Sequence, residues 1–270
     1  MNIRNDALTR LLTLTMRPQT VAGKKQNQVE STMLHFTGEE AETVNIVRDG
    51  VTSLSRFSVP CDSPVVSIPI PSIESVLGIL PYHSQEVQLS WANDKLEIKS
   101  SNKKTTLTAS LDAPAFANCP DTLSVWSQKS KDRIQQLEWT DGAYLVTSTG
   151  EWQQPIASLT LNTSELFEAL RCDAINGQKT NRFTFTCSKE QLKIKVGSEL
   201  KGATETTFPI ILGEGQPTEV TIEGGLDSVL KHFGNEVSLH FLDFSEFGQG
   251  VRILFSLPNG DMVFQAGILG

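Results

Sequence analysis

Two stretches, Val66–Leu80 (VSIPIPSIESVLGIL) and Ala157–Arg171 (ASLTLNTSELFEALR), carry the same message: a short alternating run that passes directly into an amphipathic helix. In the first, Ile73, Val76, Leu77 and Leu80 recur at i, i+3, i+4 and i+7, the spacing of one helical face, and Pro71 stands where a missing N–H costs nothing. In the second, Leu166, Phe167 and Leu170 share a face, and Asn162 with Glu165 three residues on is close to a capping box. Each is then followed by β-branched, period-2 segments: VQLSW (87–91) and KLEIKSS (95–101) after the first, RFTFTC (182–187) and QLKIKVGS (191–198) after the second. Order and spacing agree.

The same order recurs at both ends of the chain. Near the C-terminus, VTIEGGLDSVLKHF (220–233) places Leu226, Val229, Leu230 and Phe233 on one face and leads into EVSLHFLDF (236–244), VRILFSL (251–257) and DMVFQAGI (261–268), with Asn259-Gly260 as a tight-hairpin signal. Near the N-terminus, DALTRLLTLTM (6–16) supplies Leu8, Leu11, Leu12 and Met16, followed by QVESTMLHF (28–36), TVNIVRD (43–49) and SRFSVPC (55–61). Four copies of one unit, each a strand, an amphipathic helix and antiparallel strands, predict an α+β chain of two domains with sheets on one side and short helices on the other. The expected domains are 1–125 and 126–270. A connector falls within 112–155, where Ala113–Asp121 holds two prolines and no periodicity, and Asp141-Gly142 marks a further hairpin.

Bulk properties bound the function. A chain of 270 residues with net charge −8 and 39% hydrophobic content suits two modest cores and does not coat nucleic acid with its whole surface. No apolar run has the length of a signal peptide or a membrane span, so a soluble intracellular protein is expected. The four cysteines, Cys61, Cys119, Cys172 and Cys187, form no CxxC pair and read as reduced core fillers. Asn162-Thr163-Ser164 matches a glycosylation sequon but reads better as a helix start.

The runs LTLNTSELFEALR (159–171), SVLGILPYHSQEVQLS (75–90), GLDSVLKHFGNEVSLHF (225–241) and MVFQAGI (262–268), together with the order of the four units, resemble the DNA sliding clamps, typified by proliferating cell nuclear antigen and the processivity clamps of T-even-type phages. The resemblance implies a homotrimeric ring with sheets outside and helices lining a hole around duplex DNA, opened by an ATP-dependent clamp loader and tethering DNA polymerase. It implies no cofactor and no metal. The candidate DNA-facing cations are then Arg10 and Arg17 around the first helix, Arg171, Lys179 and Arg182 around the third, and Lys231 with His232 on the fourth. The helix at 72–80 offers only His83, just beyond its end, and Glu165, Glu168 and Asp227 place negative charge on two of the others, so a weakly positive inner face is expected. The resemblance also implies a pocket for a partner peptide near Phe264, Ala266, Leu123 and Ile46. Subunit contacts would run along edges near Thr122–Trp126, including Val125, and along 203–209, including Thr204 and Thr206.

Catalytic signatures are missing from the sequence. His35, His83, His232 and His240 show no zinc spacing, with His35 and His240 read as surface or satisfied core positions, and no GxSxG, Walker-type or GxGxxG motif occurs. Gly213-Glu214-Gly215 reads as a bare turn, and Glu39, Glu40 and Glu42 beside Gly38 read as a solvated acidic cluster. A non-enzymatic protein is expected. The rival reading is a β-rich structural or interaction protein of virion type; its sandwiches join strands by turns, whereas each repeat here carries a helix. A clamp-like subunit that grips DNA by charge alone would need a far more basic surface.

Overall fold

The computed structural model describes residues 1–16, 18–21, 24–27, 29–49, 51–108, 139–140, 143–146, 151–171, 182–198, 202–210, 216–223, 226, 230, 233–243, 250–259 and 262–266. The expected boundary at 125/126 lies outside them. The chain divides into two compact units, one made of Met1–Arg17, Asn27–Ile46 and Ser55–Gln135, the other of Pro18–Gln26, Val47–Leu54 and Gln136–Gly270.

In the first unit β1 (Asn2–Arg4) leads into α1 (Asn5–Met16). In chain order the short pair β2 (Pro18–Val21) and β3 (Lys24–Asn27), most of which belongs to the second unit, comes before β4 (Thr32–Phe36), β5 (Glu40–Asp49) and β6 (Val51–Pro60). The stretch Val47–Leu54 that joins β5 to β6 belongs to the second unit as well. Next come β7 (Val66–Ile70), α2 (Ile73–Ile79), a 3-10 turn at Leu80–Tyr82, β8 (Glu86–Ala92), β9 (Lys95–Ser100) and β10 (Lys103–Thr108). The repeat predicted from sequence is present, and the two copies exchange their leading strands. β1, which leads α1, pairs with β8, which follows α2, with Ile3 opposite Val87. β7, which leads α2, pairs with β4, which follows α1, with Leu34 opposite Ile68. The resulting orders are β1-β8-β9-β10 and β6-β5-β4-β7.

The second unit repeats the exchange. A small sheet of β11 (Trp139–Thr140), β12 (Ala143–Val146) and β13 (Glu151–Gln153) comes first. Thr140 pairs with Ala143, which leaves Asp141-Gly142 as the two-residue link anticipated from sequence. β14 (Ala157–Asn162) leads α3 (Thr163–Arg171), followed by β15 (Arg182–Cys187), β16 (Gln191–Ser198), β17 (Gly202–Pro209), β18 (Thr218–Glu223), β19 (Glu236–Asp243), β20 (Val251–Ser256) and β21 (Met262–Ala266). β14 joins β19, and β18 joins β15, in the orders β14-β19-β20-β21 and β17-β16-β15-β18. Leu226, Leu230 and Phe233 of the fourth repeat are buried.

Three equivalent hydrogen bonds pin the helix starts to the exchanged strands. The N–H of Asn5 donates to the Gln85 carbonyl at 2.7 Å, that of Ile73 to Glu30 at 2.8 Å, and that of Thr163 to Asn235 at 2.9 Å. Each bond satisfies one of the donors that a helix start leaves orphaned. Side chains satisfy others: Ser72 caps α2 by accepting from the Ser75 N–H, and Asn162 Oδ1 accepts from the Ser164 N–H at 2.9 Å. The inward faces fill the cores as the spacing predicts, with Leu8, Leu11 and Leu12 of α1, Ile73, Val76 and Leu80 around α2, and Leu166 and Leu170 of α3 all buried. Across β16 and β17 the hairpin is so tight that a Cβ on Gly197, at φ +111°, would lie 2.5 Å from the Gly202 carbonyl oxygen.

Two expectations change. The last pair of the β20–β21 ladder is Ser256 with Met262, so the link spans 257–261 and is longer than a two-residue turn. Pro258, which has no N–H to donate, helps to stop the pairing there. Glu42, expected in a solvated cluster, is buried at 6% exposure. Its carboxylate accepts from Arg56 Nε at 2.8 Å, and that guanidinium also reaches Glu40 at 4.0 Å. Both faces of β4 are buried, and β5 from Ala41 to Asn45 likewise, so an acidic side chain there has to be neutralised by a neighbour.

Candidate nucleic-acid interface

The outward faces of the helices are polar and carry more acidic than basic side chains. On α1 they present Asp6, Thr9, Arg10 and Thr13; on α2, Glu74, Ser75 and Gly78; on α3, Ser164, Glu165, Glu168 and Arg171. Thr13 Oγ1 donates back to the Thr9 carbonyl at 2.7 Å, so this hydroxyl is spent on its own helix.

The cations among these residues are engaged close by. Arg10 is half-buried, its guanidinium 3.4 Å from the Ser58 carbonyl oxygen. Arg171 meets Glu168 at 3.6 Å and stacks over the Phe167 ring at 5.1 Å to the centroid. Arg182 is exposed at the start of β15, where the ladder sets it opposite Glu223. Arg4, which precedes α1, holds Asp6 through two hydrogen bonds; these keep the Asp6 carboxyl below its ordinary range and raise the arginine above its own. Arg17, Lys179, Lys231 and His232 lie outside the described residues. With more carboxylates than arginines on the described faces and the cations already partnered, this surface offers little means of gripping a polyanion or of reading bases.

Of the residues expected to line a peptide pocket, Phe264 and Ala266 lie in β21, where the ladder sets them opposite Leu254 and Arg252, and Ile46 lies in β5. Leu123 lies outside the described residues. Thr204 and Thr206 lie in β17, the terminal strand of its sheet, opposite the buried Val196 and Ile194. They are half-buried and on the core side of that strand. Thr122 and Val125 also lie outside the described residues.

Sequence reading missed a second terminal strand. β10 closes the β1-β8-β9-β10 sheet, as β17 closes its own. The signal was the run after the Ser101-Asn102 turn, KKTTLT, which alternates exposed and half-buried side chains. Lys99 and Lys104 face each other across β9 and β10, and Glu97 resolves the like-charge contact by taking Lys104 at 2.5 Å and Lys99 at 3.0 Å. The two lysines hold the Glu97 carboxyl below its ordinary range, Lys104 most of all.

Histidines recur at matching places, His35 buried and His240 half-buried. His35 of β4 bonds through Nδ1 to Ser67 Oγ at 2.6 Å on the leading strand β7. His240 of β19 bonds to Ser158 Oγ at 2.9 Å on the leading strand β14, and through Nε2 to Ser256 Oγ at 3.0 Å. Burial pushes His35 down to about 3 and His240 down to about 4, so both are neutral at pH 7. Among the described residues no cluster of His, Cys, Asp or Glu has the makings of a metal site, and no helix is long and apolar enough to cross a membrane. Cys61 and Cys187 are buried free thiols, the latter pushed up to about 11 by burial.

No family model matches the sequence, and no curated protein matches it. The fold does match. The structure is similar to the DNA polymerase sliding clamp of Pseudomonas aeruginosa, at a TM-score of 0.66 and 16% identity over 100% of this chain and 66% of that one. It is similar to the DNA polymerase III beta subunit of Thermotoga maritima, at 0.63 and 11% over 100% of this chain and 64% of that one. For the DNA polymerase beta subunit of Streptococcus pyogenes the values are 0.66 and 12% over 99% of this chain and 64% of that one. The chain therefore has the sliding-clamp fold and spans slightly less than two thirds of the length of these proteins.

Proposed function

We propose that the chain is a DNA polymerase processivity clamp: copies close head to tail into a ring around duplex DNA and tether the polymerase to its template. The observation that supports this reading is the repeated unit with exchanged leading strands seen in both units of the described residues, together with the fold match to sliding clamps over 99–100% of this chain. A hole lined by such helices holds DNA by enclosure and needs no strong grip. The engaged cations of α1 and α3 and the threonine hydroxyls on the face of α1 suit that role, since tight phosphate contacts would slow sliding. The DNA-facing set would be Arg10, Arg17, Arg171, Lys179, Arg182, Lys231 and His232. The peptide pocket for polymerase and other partners would lie near Phe264, Ala266, Leu123 and Ile46.

Ring closure would join β10 of one copy to β17 of the next, because each is a terminal strand with backbone donors and acceptors to share. In this reading the ring has three copies, is loaded by a separate ATP-driven machine and acts without catalysis, as the sequence resemblance to the clamp family implies. Light scattering with electron microscopy tests the assembly. The expected result is a particle near three times the 29.6 kDa chain mass with a central hole; a strict monomer at micromolar concentration contradicts it.

A further inference from the structure

We propose that Tyr82 is the aromatic anchor of the junction between two copies of the chain, its ring covered by the copy whose β17 strand pairs with β10. The proposal rests on the ring-forming reading above and adds to it a specific residue and its means of support.

Tyr82 is 71% exposed, an unusual state for a large ring that follows directly on a buried helix end at Leu80. It is nonetheless held in place. Lys103, the first residue of β10, sets its ammonium 5.9 Å from the ring centroid. The next residue, His83, reaches Ser100 Oγ at 2.9 Å through Nδ1 and Thr105 Oγ1 at 3.0 Å through Nε2, which ties the segment to both strands of the terminal hairpin. Behind the tyrosine, Pro81 lies within the 3-10 turn at Leu80–Tyr82 and restricts the backbone. An exposed ring whose mounting is already ordered loses little conformational entropy when a partner covers it, and aromatic anchors of this kind carry a large share of interface energy.

The neighbouring strand identifies the partner. Thr105 and Leu107 of β10 sit opposite the buried Ile98 and Leu96, and Lys103 and the ring it holds are at the same terminal strand. Among the described residues nothing pairs with the far side of β10, a strand of 6 residues, or of β17, a strand of 8. β10 carries the exposed Lys103 and Lys104, while the charge on β17 is Glu205, which within its own sheet meets Lys193 at 3.1 Å. Two β10 strands side by side would join edges whose charges, Lys103 and Lys104 on each, are all positive. A β10 strand against a β17 strand sets lysine against glutamate, so charge favours the heterologous pairing that a ring requires.

Nitration of the wild-type protein by tetranitromethane, with mass spectrometry to separate Tyr82 from Tyr144, tests this without a substitution. Tyr82 is expected to be protected at concentrations where the chain is assembled and reactive on dilution to monomer. In parallel, Tyr82→Ala is expected to raise the dissociation constant of the assembly roughly 10- to 100-fold in a mass-photometry dilution series, with the circular dichroism of the chain unchanged. A wild-type assembly in which Tyr82 reacts as fast as in the monomer overturns the anchor and leaves the ring standing. A wild-type chain that never assembles overturns both. Protection that appears only when another protein is added assigns the ring to that partner and removes it from the junction.

Discussion

The two ladders of the first unit are built by the same repeat and treat their outer faces in opposite ways. In β1-β8-β9-β10 the side chains alternate, with Val87, Leu89, Leu96 and Ile98 buried and Lys95, Lys104 and Thr106 exposed. In β6-β5-β4-β7 the strand β4, and β5 from Ala41 to Asn45, are buried on both sides and hold polar groups inside. Thr32 donates to Asn45 at 2.9 Å, Thr15 and Thr43 share a hydrogen bond at 2.6 Å, and a row runs from Ser67 through His35 to the opposed Glu42 and on to Arg56. One fold unit can therefore support either a solvated surface whose ion pairs contribute little or a closed polar layer whose members depend on one another.

The largest effect that distinguishes the two ladders is expected from their arginine and lysine partners. Arg56→Ala leaves Glu42 buried without its cation and should cost about 2 kcal/mol, a figure reduced from that of a fully buried pair because Arg56 is partly exposed. Lys104→Ala, on the open ladder, should cost about 0.5 kcal/mol or less, since Glu97 keeps Lys99. Urea unfolding of the two variants measures the difference. Equal losses would mean that the double-sided burial of β5 has no energetic consequence.

The histidines give a second contrast, readable by pH. The ordinary imidazole value is 6.5, whereas His35 and His240 stay neutral down to about 3 and about 4. The unfolded chain takes up these protons first, so their stabilising contribution is fully present above pH 6.5 and is lost as the pH falls toward the folded values. Unfolding free energy should decline through that window, and His35→Gln with His240→Gln should flatten the decline. An unchanged acid slope in the double variant would assign the whole effect to carboxylates. Smallest of all, Thr186→Val on the exposed side of β15, where the hydroxyl meets Glu219 at 2.9 Å, should shift stability by no more than about 0.5 kcal/mol.

The same contrast explains what sequence alone conveyed. The helical faces at 73–80 and 164–170 were legible because their spacing needs only neighbours within two turns, and the alternation in β8, β9, β15 and β16 was legible because their outer faces are wet. The exchange of leading strands was not legible, since a period of two says which face is buried and nothing about which strand lies alongside. Glu42 misled for a related reason. An acidic run after Gly38 has the look of a turn, and the arginine that neutralises Glu42 comes 14 residues later on another strand. Asn5 is similar: its side-chain amide donates to the carbonyls of Leu80 at 2.8 Å and Ser84 at 3.0 Å, partners whose distance along the chain leaves no local trace. Of the candidate DNA-facing residues, the positions of Arg10 and Arg171 on their helices were legible. Their engagement with Ser58, and with Phe167 and Glu168, was not.

The central claim is enclosure, and topology tests it most directly. The protein, assembled on a nicked circular duplex with a clamp loader from a system in which it functions, should remain bound through a high-salt wash and be released when a single restriction cut opens the circle. Release by salt alone from intact circles, or equal retention on circular and cut DNA, would contradict a closed sliding ring.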